Sequence, residues 1–227
     1  MRAETLVGWR RTTLSLALGC CLWLASLAAM QQQGKLREED RTRYAVPPLS
    51  VVTLLATDFE NLIADSYWML FLQLNGENLV EEDPEKRDFR QAFPTLELIM
   101  GLDPKFHDAA LFGSWALADG ERLDEARALI RLGMERHPQD FRYPYQMGVL
   151  EFLYARNYLE AGRYFEQASE LPDAPPGARR FAASMYAKGN KTDLAIQTWL
   201  AIYHASTDAQ NRAIAERALK KLGVTPK

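Results

Sequence analysis

AFPTLELI at 92–99, ARALIRLG at 126–133, AGRYFEQA at 161–168 and AIQTWLAI at 195–202 share one pattern. A small residue is followed four places on by a bulky apolar one, and three places later by an apolar or small one. The triplets are Ala92/Leu96/Ile99, Ala126/Ile130/Gly133, Ala161/Phe165/Ala168 and Ala195/Trp199/Ile202, and their first members stand 34, 35 and 34 residues apart. Spacings of four and three put each triplet on one face of a helix. A near-constant period in the thirties is the signature of stacked helical hairpins, where each unit buries its apolar face against its neighbours. Pro104, Pro138 and Pro172 fall 11 or 12 residues after the residue opening the preceding triplet. There the second helix of each hairpin should stop, because proline lacks the N–H that would continue it.

The small/bulky/small signature with its terminal proline resembles the second helix of the tetratricopeptide repeat, over residues 91–205 and more loosely over 57–74. That resemblance implies an all-α solenoid of about four hairpins with a capping helix. The units it implies are an irregular first hairpin at 49–104, repeats at 107–140, 141–175 and 176–207, and a cap at 208–222. In the first unit, Phe59, Leu62, Ile63, Tyr67, Leu70, Phe71 and Leu74 lie at helical spacing. Thr57 or Asp58 is the expected cap, Leu49 to Ala56 a two-turn extension, and Asn75-Gly76 the expected end. An acidic loop, Asn75 to Arg87, should then lead into a helix from Arg90 to Leu102. Gly113 and Ala126 let the helices of the second unit approach closely, and the one extra residue of the third falls near Asn157. Ala64-Asp65-Ser66-Tyr67-Trp68 with Gln73 also resembles the opening hairpin of membrane-anchored bacterial repeat proteins, although Tyr67 and Trp68 equally suit plain packing at the end of a stack.

The chain of 227 residues is 48 % apolar and 11 % aromatic, enough for a sizeable core. Lys and Arg total 27 against 30 Asp and Glu, a formal charge of −3, so no global field recruits nucleic acid. Cys20 and Cys21 are adjacent within an N-terminal apolar run and cannot staple the rest of the chain.

Residues 1–13 carry Arg2, Arg10 and Arg11 against Glu4, and lead into 14–30, an uncharged apolar run of 17 residues. Its length lies between a signal-peptide core and a full membrane span, and it is read as an uncleaved single-pass anchor, with a cleaved signal as the alternative. Lys35, Arg37, Arg41 and Arg43 on the far side balance the basic flank, so charge counting alone sets no orientation. The usual export geometry places the N-terminus in the cytosol, the segment in the inner or plasma membrane and the repeats on the periplasmic side. Residues 31–48 are polar, end in Pro47-Pro48 and read as a linker or stalk.

Nothing in the chain nominates an enzyme, a cofactor or a metal. His107, His137 and His204 fall singly near repeat boundaries without the i, i+4 pairing of a zinc helix. Acid pairs such as Glu81-Glu82 and Asp124-Glu125 lie in loops or at helix starts, where the helix dipole favours them. No phosphate-cradling glycine loop and no nucleophile elbow occur.

In the tetratricopeptide family the first helix of each hairpin lines a concave, partner-binding surface. By that resemblance position 5 of the three regular repeats reads Leu111, Tyr145 and Arg180, and position 9 reads Trp115, Val149 and Ser184. This departs from the Lys/Asn clamp with which some members hold a C-terminal carboxylate. An aromatic groove formed by Trp115, Arg142, Tyr145, Val149, Arg180 and Ser184 would suit an apolar or aromatic segment of another protein. Equally, the aromatics could pack between hairpins. The expected function is a membrane-anchored scaffold or assembly factor; the alternatives are a subunit embedded in a larger membrane complex, or an enzyme or small-ligand receptor using the concavity.

Overall fold

The computed structural model describes residues 46–226. The basic flank 1–13, the apolar segment 14–30 and the linker as far as residue 45 lie outside the described residues. Those described are all-α: ten α-helices and two 3-10 turns, with no strand among them. The helices are α1 (Leu49–Ala56), α2 (Glu60–Val80), α3 (Ala92–Leu102), α4 (His107–Asp119), α5 (Leu123–Arg136), α6 (Arg142–Leu153), α7 (Tyr158–Ser169), α8 (Gly177–Lys188), α9 (Thr192–Ala205) and α10 (Ala209–Lys221). From α2 to α10 each packs on the next, and α3 also touches α5 as α4 touches α6, so the contacts are those of neighbours in a stack.

The four triplets lie on α3, α5, α7 and α9, and eleven of their twelve residues are buried, Ala92 being the half-buried exception. The small members set how near the helices come. A Cβ on Gly113 of α4 would stand 2.6 Å from the Leu96 side chain, and one on Gly133 of α5 would run into the ring of Tyr143 in α6. Burial of Leu96, Ile99, Leu117, Leu129, Ile130, Met147 and Leu150 joins α3 to α6 in one core. Phe165, Met185 and Tyr186 continue it towards the C-terminus, and Trp199, Ile202, Ala215 and Leu219 close it beneath α10. Asp208 caps α10, its carboxylate accepting from the backbone N–H groups of Gln210 and Asn211.

At the hairpin turns of α4 with α5 and of α8 with α9 a residue after the glycine, and not the glycine, is left-handed. Gly120 and Gly189 stay at φ −79° and −83°, while the residues after them, Glu121 at 61° and Asn190 at 57°, take the left-handed conformation. Gly120 is needed for room, since a Cβ there would stand 2.7 Å from the Phe89 ring. The turn of α6 and α7 is one residue longer, spanning 154–157, and Asn157 caps α7 by accepting from the Glu160 N–H.

The first unit departs most from expectation. Helix α2 runs through Asn75-Gly76 to Val80, so the acidic loop starts at Glu81 rather than Asn75. Asn78 accounts for the longer helix: buried, it accepts from the Asp88 N–H at 2.9 Å and donates to the Asp88 carbonyl at 2.8 Å, tying the loop back onto the last turn. At its other end α2 begins at Glu60 behind a 3-10 turn, Thr57–Phe59, that separates it from α1; Asp58, at φ −90° and ψ 17°, breaks the helix instead of capping it. Tyr67 and Trp68 are half-buried, and the Trp68 ring lies 5.3 to 5.8 Å from those of Phe71, Phe106 and Phe112.

Candidate interaction face

The three first helices α4, α6 and α8 carry the residues singled out from the sequence, and the structure divides them into groups. Tyr145 and Val149 are half-buried on α6 beside the core shared with α7 and α8. The Tyr145 ring meets Phe165 edge-on at 5.2 Å and Phe181 at 6.2 Å, which links α6 to α8; burial raises its phenol pKa. Trp115 of α4 packs edge-on against Tyr154, whose hydroxyl donates to Asp119. Ser184 donates to the carbonyl of Arg180 one turn back, so its hydroxyl serves the helix.

The two arginines are engaged in polar contacts of their own. Arg142 clamps Asp140 through Nε and a terminal nitrogen, at 2.9 and 2.6 Å, and holds that carboxyl below the usual carboxylate range. It lines a cleft of about 520 Å³ with His137, Asp140 and Asp173. Arg180 donates to Asn211 at 2.9 Å and lines a smaller cleft of about 200 Å³ with Arg179 and Ser206. Phe112 and Phe181 take the next position along, 43 % and 46 % exposed, and Leu153 at the end of α6 is 48 % exposed. Their sequence signal was a bulky apolar residue beside position 5, and periodicity does not tell a core aromatic from an exposed one.

Polar contacts tie α4 and α5 to α6. Arg127 forks onto the buried Glu151 at 2.7 and 3.0 Å, and this bond raises the guanidinium pKa. Gln146 donates to Ser114 at 3.1 Å in the interior. His107 and His137, single in sequence, come together with ring centroids 4.7 Å apart; His107 Nδ1 lies 2.7 Å from the Tyr143 hydroxyl, and His137 stacks on the same ring. Burial, with Arg142 and His137 nearby, lowers the His107 pKa despite Asp140 at 3.7 Å. Burial pushes the Tyr143 phenol up to about 12. His107 and His137 stand 30 residues apart, at the two ends of the α4 and α5 hairpin. Among the described residues no group of three or more His, Cys, Asp or Glu is placed to hold a metal ion, and no helix is long and apolar enough to cross a membrane.

What these features define is an all-α protein of successive helical hairpins, with half-exposed aromatics on its first helices. Comparison with protein-family models, curated proteins and solved structures returns no match.

Proposed function

We propose that this chain is a tetratricopeptide-type solenoid that acts as a protein-binding scaffold or assembly factor, held at the inner or plasma membrane by residues 14–30 with its repeats on the periplasmic side. The observation that carries the binding reading is the meeting of Tyr145 with Phe181, two rings from successive first helices, the second of them almost half exposed. Aromatic and arginine side chains dominate binding energy when a partner desolvates them. An apolar or aromatic segment laid across α4, α6 and α8 would cover Phe112, Tyr145 and Phe181 and reach Arg180.

Replacing Tyr145 and Arg180 together by alanine should release a partner in a crosslinking pull-down. Phe112→Ala with Phe181→Ala probes the more exposed rings: partner loss with an unchanged helical spectrum and melting temperature supports the groove, and partner retention removes it. A reporter fused after Lys227 should be active only outside the cytosol; cytosolic activity would reverse the orientation. A second reading, a subunit built into a larger membrane assembly, draws on the exposed apolar side chains of α1 and α2.

A further inference from the structure

Helix α2 carries large apolar side chains on its exposed side as well as its buried one. Its inner side supplies Ala64, Phe71 and the half-buried Ile63, Tyr67, Trp68 and Leu72 to the core. Its outer side, continuing from Phe59 of the preceding 3-10 turn, presents Leu62, Ser66, Met69, Gln73, Gly76 and Val80 in an alternation of three- and four-residue steps, and Phe59, Leu62, Met69 and Val80 are 61, 61, 65 and 80 % exposed. Leu54 and Leu55 of α1 lie before that stripe, 79 and 76 % exposed. Such an alternation is the seam along which a second helix packs, and large apolar side chains left open in one stripe mark a surface that a partner covers.

Gly76 is the independent sign. A glycine inside a helix costs about 1 kcal/mol relative to alanine. Gly113, Gly133, Gly148 and Gly162 each have a neighbouring side chain within contact of the missing Cβ, whereas at Gly76 nothing lies within 4 Å. No packing within the described residues uses the absent side chain. It stands seven residues after Met69, which is seven after Leu62, where a helix crossing the seam would come closest.

Charge selects the occupant. Residues 49–80 contain no Lys or Arg, and Asp58 and Asp65 are exposed beside the stripe. A second copy would set acid against acid. A membrane surface suits helices with a basic polar face, which this one lacks. We infer that the outer face of α1 and α2 docks an apolar helix bordered by Lys or Arg, contributed by a different polypeptide; this rests on the proposed membrane role of residues 14–30, which have the same character in this chain. This surface lies on other helices than the aromatic face of α4, α6 and α8 and rests on none of its residues.

The test is a photo-crosslinking amino acid at Leu62 and, separately, Met69 in the full-length chain, in the cells that produce it, with the crosslinked peptides sequenced. The expected product is a segment of another polypeptide with apolar residues at three- and four-residue spacing and basic flanks. Gly76→Ile should lower its yield by roughly tenfold or more without lowering the melting temperature, and Asp58→Lys with Asp65→Lys should lower it too. Gly76→Ala, which favours the helix, should keep or raise the melting temperature while weakening the crosslink. Products only with lipid, with a second copy or with this chain itself, or a yield indifferent to Gly76→Ile, would overturn the inference. Phe181→Ala should leave this crosslink intact, so failure of the groove and failure of this surface are separable.

Discussion

At the scale of single residues, the chemistry of this protein concentrates where one hairpin meets the next. His107 is the group whose protonation should be felt. Its folded pKa lies below the ordinary 6.5, through burial first and then through Arg142 and His137. The unfolded chain therefore takes up the proton before the folded one does. The stability linked to His107 is complete above 6.5 and is lost as pH falls through the lowered value. Asp140 also has a lowered pKa, because Arg142 bonds its carboxylate, but that contribution is lost only on acidification below 3.8. Melting temperature should thus fall between about pH 7 and 5, and His107→Gln, which keeps a partner for Tyr143, should flatten that slope. An unchanged slope would exclude His107 as its source. The pairing itself was hidden in the sequence, because residues 30 apart at the two ends of one hairpin become neighbours only when α4 and α5 close on each other.

At the scale of elements, helix existence follows from periodicity, and the turns follow from crowding. At Gly120 small size matters rather than left-handed freedom: it admits Phe89, while Glu121 takes φ 61°. A non-glycine residue there costs about 1–2 kcal/mol. Glycine at that position pays back part of the gain in unfolded-state entropy. Glu121→Gly should therefore stabilise the chain by about 0.5–1 kcal/mol, read as a higher urea midpoint at constant m-value. Gly120→Ala should do the reverse by pressing on Phe89. Helix α2 shows the same limit: Asn75-Gly76 reads as a stop, but Asn78 binds the Asp88 backbone and the helix runs on to Val80.

At the scale of the whole molecule, the stack is a row of nearest-neighbour contacts, so its end must be closed. Helix α10 does this with Ala215 and Leu219 over Ala183, Trp199 and Ile202. A chain ending at Ser206 should lose its cap, melt at a lower temperature and self-associate through the uncovered Trp199, as seen by sedimentation; a monomer of unchanged stability would mean that α9 needs no cover. By itself the sequence determined the all-α class, the repeat period and the buried triplets, since small and bulky residues at a fixed spacing state which face of each helix must be covered. Only the tertiary structure decided which remaining apolar residues that cover reaches. Tyr145 is drawn against Phe165 while Phe181 stays half exposed, and α2 turns Phe71 inward but leaves Leu62 and Met69 outside. The physical reason is that hydropathy ranks a side chain without regard to direction. Burial depends on which neighbour the folded chain brings to each side of a helix, and along the outer side of α2 the described chain brings none.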